Sequence, residues 1–90
     1  MKASDADVRE AAIRTVGGIG TGAQAAVPAL AAAVADPDSR VRIMAAEVLG
    51  RFGTLAASAE PALRNALDDP DSDVRRAASD ALLSILQAQK

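Results

Sequence analysis

The stretch DPDSRVR at residues 36–42 returns as DPDSDVR at residues 69–75. Six of the seven letters agree, and the two stretches begin 33 residues apart. The same shift aligns residues 5–37 with residues 38–70 without a gap, and 15 of the 33 positions are identical. Self-similarity at a fixed period of about 20 to 50 residues is the signature of a repeat protein. We therefore interpret the chain as a tandem array of one structural unit.

Each period is predicted to open with a long amphipathic helix. In the second period, Val41, Ala45 and Leu49 recur every four residues, and Val48 and Phe52 extend the same apolar stripe. This spacing is typical of a helix with one buried face. An aspartate before each such segment suits an N-cap, and a glycine after it suits a C-terminal stop. The predicted N-caps are Asp5, Asp38 and Asp71, and the predicted stops are Gly20 and Gly53.

A shorter helix is predicted between the long ones, over about residues 24–35 and 58–68. Pro28 and Pro61 fall near its start, where a missing N–H costs least, and the following Asp-Pro pair ends it. No segment alternates as a strand would. The predicted fold class is all-α, a short right-handed α-solenoid of five antiparallel stacked helices. We expect one domain over residues 1–90, with a half-repeat at 5–20 and full repeats at 21–53 and 54–90.

The composition excludes several classes of function. The chain has no Cys, His, Trp or Tyr and a single Phe, so the commonest general base, the commonest metal ligand and most stacking side chains are missing. Ten basic and twelve acidic residues give a net charge of −2, which argues against nucleic-acid binding. No signal region or long apolar run is present, so a soluble and by default cytoplasmic protein is expected. We predict no catalytic residue, no cofactor and no metal site.

The segment AVPALAAAVADPDSRVRIMAAEVLGRFG at residues 26–53, with its counterpart at residues 59–86, resembles HEAT-like repeats. Within these it is most similar to the short type named after phycobilisome lyases, and the resemblance covers nearly the whole chain. It implies that the proline-bearing helix lies on the outer, convex side of the array. It also implies that the long helix lies on the inner, concave side and carries the partner-binding surface.

The resemblance further implies a role for the repeated arginine. In such repeats the turn aspartate and the arginine six residues later form a ladder that links adjacent repeats. This spacing fits Asp36 with Arg42 and Asp69 with Arg75, and Arg9 provides a further rung. Arginine suits this role because its guanidinium donates to several oxygens at once. The alternative, a row of arginines that binds phosphates, needs a net positive groove that the charge balance does not supply.

The long helices present a second face, roughly 130° from the apolar stripe by helix geometry. Stacked repeats would set its positions in rows, and solvated ion pairs between repeats are one interpretation of them. The other interpretation is a binding patch in which Ile43 and Met44 form an apolar centre with a charged rim. The rows are Asp7, Arg40 and Asp73; Arg14, Glu47 and Asp80; and Glu10, Ile43 and Arg76. The predicted partner-binding residues are Arg40, Ile43, Met44, Glu47, Arg51, Glu10, Arg14, Arg76 and Asp80.

The last helix departs from the repeat. Leu83 and Leu86 stand where the preceding period has Gly50 and Gly53, so this helix is expected to continue to about Gln87. Its leucines either fold back as a cap on the last repeat or pair with a second copy of the chain. A third interpretation is that the chain is cut from a longer array.

The function predicted from these features is a non-enzymatic scaffold that binds an unidentified protein partner on the concave face of the long helices. One alternative is a self-associating piece of a longer array with a purely structural role, including a homodimer through Leu83 and Leu86. Another is nucleic-acid binding, which the charge disfavours. Some HEAT-like proteins are bilin lyases or di-iron hydroxylases, but one Phe and no His leave little for either chemistry. No membrane partner is expected.

Overall fold

A computed structural model describes residues 2–17 and 23–88, with side chains for residues 6–16 and 25–87. The described residues form five α-helices in long-short-long-short-long order and no strand, which confirms the all-α prediction. A 3₁₀ helix precedes each short α-helix: η1 is Ala23–Ala26 and η2 is Gly53–Ala59. The α-helices are α1 (Lys2–Gly17), α2 (Val27–Ala33), α3 (Ser39–Phe52), α4 (Glu60–Ala66) and α5 (Ser72–Ala88).

The boundaries of the two later long helices follow the predicted capping residues. The Asp38 carboxylate accepts a hydrogen bond from the Arg40 N–H at 2.9 Å, and α3 begins at the next residue. Asp71 does the same for α5 through the N–H groups of Asp73 (2.8 Å) and Val74 (3.3 Å). Gly53 ends α3 with φ 58°, a backbone conformation that residues with a Cβ rarely adopt. Both N-caps and this stop are confirmed.

The predicted N-cap of the first helix is wrong. Helix α1 begins at Lys2, so Asp5 lies inside it. Asp38 and Asp71 each follow a proline, and the residue before a proline is kept out of the helical region. Asp5 follows Ser4 instead, so no proline delays the start of α1. The predicted stop at Gly20 lies outside the described residues.

The short helices are more irregular than predicted. The expected segments 24–35 and 58–68 each consist of 3₁₀ helix, a seven-residue α-helix and a turn. Pro28 and Pro61 do stand in the first turn of α2 and α4, as predicted. η2 follows α3 directly at Gly53, so the chain reverses without an extended loop.

The long helices lie side by side and the short helices cover one flank of them. α3 packs against α1 on one side and α5 on the other, while α2 packs mainly on α3 and α4 on α5. The described chain measures 44 × 30 × 15 Å along its principal axes. Phe52, which we expected in the core, is half-buried against it. The largest fully buried side chains are Leu49, Leu63, Ile85, Val27, Val41, Val48 and Val74.

The repeat does not bury equivalent residues equally. Val8 is 64% exposed, although its counterparts Val41 and Val74 are fully buried. The reason is that α2 and α4 each cover the long helix that follows them, whereas η1 makes only a small contact with α1. At the other end, Leu82 and Ile85 are buried on α5 but Leu83 and Leu86 are 54% and 41% exposed. Two of these four large side chains therefore do not cover the last repeat.

The repeated arginine joins one layer to the next. Arg42 Nη1 donates to the main-chain carbonyls of Asp36 (2.8 Å) and Pro37 (3.1 Å), at the turn just before its own helix. Its Nε lies 2.9 Å from Asp69 Oδ2, an ion-pair distance without the alignment of a good hydrogen bond, and its Nη2 donates to Asp69 Oδ1 at 3.3 Å. Arg9 Nε likewise donates to Asp36 Oδ2 at 2.7 Å, which lowers the pKa of Asp36 below its ordinary value.

These contacts differ in one respect from the expected ladder. An arginine meets the aspartate six residues earlier through that residue's carbonyl, and its ion pair is with the aspartate 27 residues later. Arg75 repeats the carbonyl contacts, to Asp69 at 2.7 Å and to Pro70 at 3.1 Å. It makes no ion pair within the part of the chain that the structure describes. Each rung therefore ties a long helix to the turn of the next layer.

Replacement of Arg42 tests this arrangement. Arg42→Ala removes two carbonyl contacts and a largely buried ion pair, so we expect the free energy of unfolding to fall by about 2 to 3 kcal/mol. Arg75→Ala is the matched control, because it removes the carbonyl contacts alone, and we expect about half that loss. Urea denaturation followed by circular dichroism measures the free energy of unfolding of both variants. Equal losses would contradict the interpretation that the Arg42–Asp69 ion pair holds the two layers together.

Gly50 allows α3 and α5 to approach closely. A Cβ at Gly50 would lie 3.1 Å from Ala81 Cα and 3.3 Å from Ala81 Cβ, which is tighter than ordinary van der Waals contact. A glycine and an alanine thus bring the two neighbouring helices together at this position. Because the nearest atom belongs to the backbone of α5, a larger residue must push the two helices apart.

Gly50→Val should therefore destabilise the fold by about 1 to 3 kcal/mol, although valine is the better helix former. Ala11→Val, at an exposed position of α1, should cost only about 0.5 kcal/mol of helix propensity. Thermal unfolding of the two variants beside the wild type separates overpacking from propensity. A Gly50→Val protein as stable as the wild type would show that the layers are not in close contact here.

Candidate functional site

A groove of about 630 Å³ runs between α3 and α5. No residue of α2 or α4 lines it, so it lies on the face formed by the long helices, away from the short ones. The α3 side is formed by Ile43, Ala46, Glu47, Gly50 and Arg51, and the α5 side by Asp73, Arg76, Ala77, Asp80, Ala81 and Ser84.

Small residues form the floor of this groove. Ala46, Ala77 and Ala81 are buried there, and Gly50 lies against Ala81 with no room for a larger side chain. Longer side chains stand on either side, because the residue next to a floor position points about 100° away from it around the helix. The close approach of α3 and α5 therefore produces a trough with a small apolar floor and charged rims.

The charged rims lack partners within the described chain. Glu47, Arg51, Asp73, Arg76 and Asp80 make no ion pair and no side-chain hydrogen bond with any residue that the structure describes. Charged side chains elsewhere in residues 6–16 and 25–87 do make such contacts, and Asp68 is the one exception outside the groove. Unpaired charge is thus concentrated along one surface, where it is available to a ligand.

The predicted partner-binding residues divide into two groups. Ile43, Glu47, Arg51, Arg76 and Asp80 line the groove. The other four lie elsewhere: Met44 is half-buried against the core, Glu10 and Arg14 pair with each other on α1 at 3.1 Å, and Arg40 is held by two aspartates.

Arg40 takes part in an ion pair between layers. Its guanidinium contacts Asp38 at 3.0 Å and, across the layer boundary, Asp7 at 3.2 Å. The hydrogen bonds from Arg40 lower the pKa of Asp38 from 3.8 to about 2. The row of Arg14, Glu47 and Asp80 makes no such contact, because Arg14 turns to Glu10. On the α1 side of the surface, an ion pair thus joins neighbouring repeats. On the α5 side, the charged side chains of the groove have no partner among the described residues.

Sequence reasoning missed part of the groove. Asp73 and Ser84 occupy rim positions, and the alanines and glycine of the floor are as much part of the site as the charged residues. The 33-residue shift already places Asp73 beside Arg40 and Ser84 beside Arg51, so the rows could have identified both as rim residues. The depth of the trough could not be read from it, since depth depends on how closely the helices pack.

Two arrangements typical of active sites, an activated nucleophile and a metal-binding cluster, are not found among the described residues of the groove. The Ser84 hydroxyl makes no hydrogen bond to a carboxylate among the described side chains. No three acidic side chains in that part of the chain gather closely enough to hold a metal ion. Short apolar residues between alternating charges are suited to recognising another chain by contact.

Long helices stacked in parallel layers, with short helices on one flank and a groove on the other, define an α-solenoid. A family model described as HEAT repeats matches residues 1–83, and the chain belongs to this family. HEAT repeats commonly act as scaffolds for protein interactions, and their fold is typically non-enzymatic. A comparison with curated proteins found no match. Among the described helices, none is long and apolar enough to cross a membrane.

The low pKa of Asp38 predicts how the start of α3 responds to acid. Because the folded pKa is about 2 and the ordinary value is 3.8, ionised Asp38 stabilises the fold fully above pH 3.8. This contribution is lost as the pH falls from 3.8 towards 2. In Arg40→Gln we expect the pKa of Asp38 to rise towards its ordinary value. NMR titration of the Asp38 carboxyl carbon measures this pKa in the wild type and in the variant. The same low pKa in the variant would show that Arg40 is not its cause.

Proposed function

We propose that this chain is a non-enzymatic protein-interaction module and that its partner binds in the groove between α3 and α5. The main support is the concentration of unpaired charges along that groove. Charged rims around a small apolar floor resemble the rim and core of a protein interface. Such an arrangement selects a partner by the order of its charges, since a mismatched charge is costly to bury.

Nucleic acid is the less favoured ligand for this groove. Three carboxylates and two guanidinium groups line it, and the whole chain has a net charge of −2. A phosphate backbone binds where basic residues are in clear excess. The charges that would attract a phosphate at Arg51 and Arg76 are thus offset by Glu47, Asp73 and Asp80.

Self-association is the second candidate function. Leu83 and Leu86 are 54% and 41% exposed on α5, and such exposed apolar side chains favour contact with another surface.

Within the HEAT family we also assign the repeats to the short type named after phycobilisome lyases. The 33-residue period and the Asp-Pro-Asp turn support this assignment.

Photo-crosslinking tests the binding groove. Benzoylphenylalanine in place of Ser84 on the rim should form covalent adducts with a partner protein in a native extract. The same group in place of Ala32, exposed on α2, should form few, because that position lies on the short-helix side. Mass spectrometry of the adducts identifies the partner.

Specificity is checked by competition. Excess unlabelled wild-type chain should suppress the Ser84 adducts, whereas the double reversal Glu47→Arg and Asp80→Arg should compete at least tenfold less well. Circular dichroism confirms that the exposed substitutions leave the fold intact. Equal labelling from Ala32 and Ser84, or equal competition by both chains, would contradict the proposal.

A further inference from the structure

Four of the five charges of the groove run in a basic–acidic–basic order, and the fifth, Asp73, precedes Arg76 on α5. Arg76 leads on α5, Asp80 follows four residues later, and the 33-residue shift sets Glu47 of α3 beside Asp80. Arg51 follows Glu47 after four more residues. At about 1.5 Å of rise per residue, each step is about 6 Å along the groove. A helix that fits here must therefore present acid, base and acid at intervals of four residues.

The short helix α4 and the turn after it carry this series, with the Glu60 side chain 26% exposed. Glu60, Arg64 and Asp68 are four residues apart, and their signs are acidic, basic and acidic. Arg64 has 60% of its side chain exposed and pairs with Glu60 along the helix. Asp68 is exposed and has no partner among the described residues. It lies in the turn after α4, where its N–H still donates to the Asn65 carbonyl at 3.2 Å, so the winding of the chain continues to it.

We propose that the groove of one copy binds the α4 helix of a second copy. This inference rests on the proposed function of the groove and names its partner. In the complex, Arg64 approaches Glu47 and Asp80, while Glu60 and Asp68 approach the two groove arginines. Apart from Asp73, which this segment leaves without a cation, the series reads the same in both directions, so either orientation of α4 satisfies the other four charges.

The positions of the two surfaces on the molecule agree with such a contact. The groove lies on the long-helix face and α4 on the opposite flank, so one copy uses both surfaces with different neighbours. A contact of this kind does not close into a pair, and it produces chains that lengthen with concentration. Exposed ion pairs each contribute little and are screened by salt, so the association should be weak and should disappear at high ionic strength.

The other short helix provides an internal control. The positions of α2 that correspond to Glu60 and Arg64 are Val27 and Ala31, and Asp68 corresponds to Ala35 in the turn after it. The outer flank of the first repeat therefore lacks the charge series entirely. The proposed contact belongs to the second repeat alone, and a substitution at exposed positions of α2 should leave it unchanged.

Charge reversal on each surface tests the proposal. A groove variant carries Glu47→Arg, Arg51→Glu, Arg76→Glu and Asp80→Arg, and a helix variant carries Glu60→Arg, Arg64→Glu and Asp68→Arg. In sedimentation velocity at low salt, the weight-average mass of the wild type should rise with concentration. Each variant alone should stay at the monomer mass, and an equimolar mixture should recover the wild-type behaviour. Ala32→Glu on α2 is the control that should change nothing.

A crosslink supplies a readout that does not depend on the reversed variants folding. Benzoylphenylalanine at position 84 should join two copies of the chain, and the attached peptide should map to residues 60–68.

Three outcomes would overturn the inference. The first is a wild type that remains monomeric at every concentration in low salt. The second is association that survives the helix variant but is lost in Leu83→Asp, which would assign the contact to α5. The third is a crosslink from position 84 to a foreign protein alone while the chain stays monomeric. That last result would leave the groove's proposed function standing and remove only the second copy as its partner.

Discussion

The structure depends on the turn aspartates, because each carboxylate bonds both to its own turn and to an arginine of the preceding long helix. Asp36 accepts the N–H of Asp38 at 2.9 Å and so shapes its own turn, while its oxygens also bind Arg9 of the preceding long helix. Asp69 repeats both contacts with Asp71 and Arg42. Because one side chain makes both the turn bond and the layer contact, the geometry of the turn is coupled to the register of the long helices. The proline between the two aspartates reinforces this by ending the short helix at the same point.

The groove follows from that register. Once the clamps set α3 and α5 side by side, Gly50 and Ala81 permit close packing, and the space above the contact has only alanines and glycine as its floor. The turn aspartates, the capping residues and the core positions are repeated almost unchanged, and together they form the frame of the array. The rim residues of the groove are not repeated, because neither the arginine–aspartate contacts nor the core constrains them. A repeated frame with variable rims separates stability from recognition, since the rim can change its charges at little cost to the fold.

Sequence reasoning recovered the frame because the frame is periodic. The N-caps at Asp38 and Asp71, the stop at Gly53 and the prolines of the short helices are local chemistry, which a single period already specifies. It failed where the answer depends on distance between layers. A period shows that Arg9 and Arg42 are equivalent, but not that the ion pair of each is with an aspartate 27 residues ahead. Nor could it show that Val8 is exposed, since burial at that position depends on a covering helix that α3 and α5 each have.

The two layer boundaries show how the same frame gives different surfaces. Arg40 stands between Asp7 on α1 and Asp73 on α5, and it turns to Asp7 and to its own N-cap Asp38. Its charge is then satisfied, so Asp73 is left without a partner in the described chain. In the same way Arg14 turns to Glu10 and leaves Glu47 unpaired. Arg40 thus pairs across the first boundary and Arg14 within α1, so neither neutralises a carboxylate of the second boundary. The unpaired state of Asp73 and Glu47 therefore follows from the partners that Arg40 and Arg14 take instead.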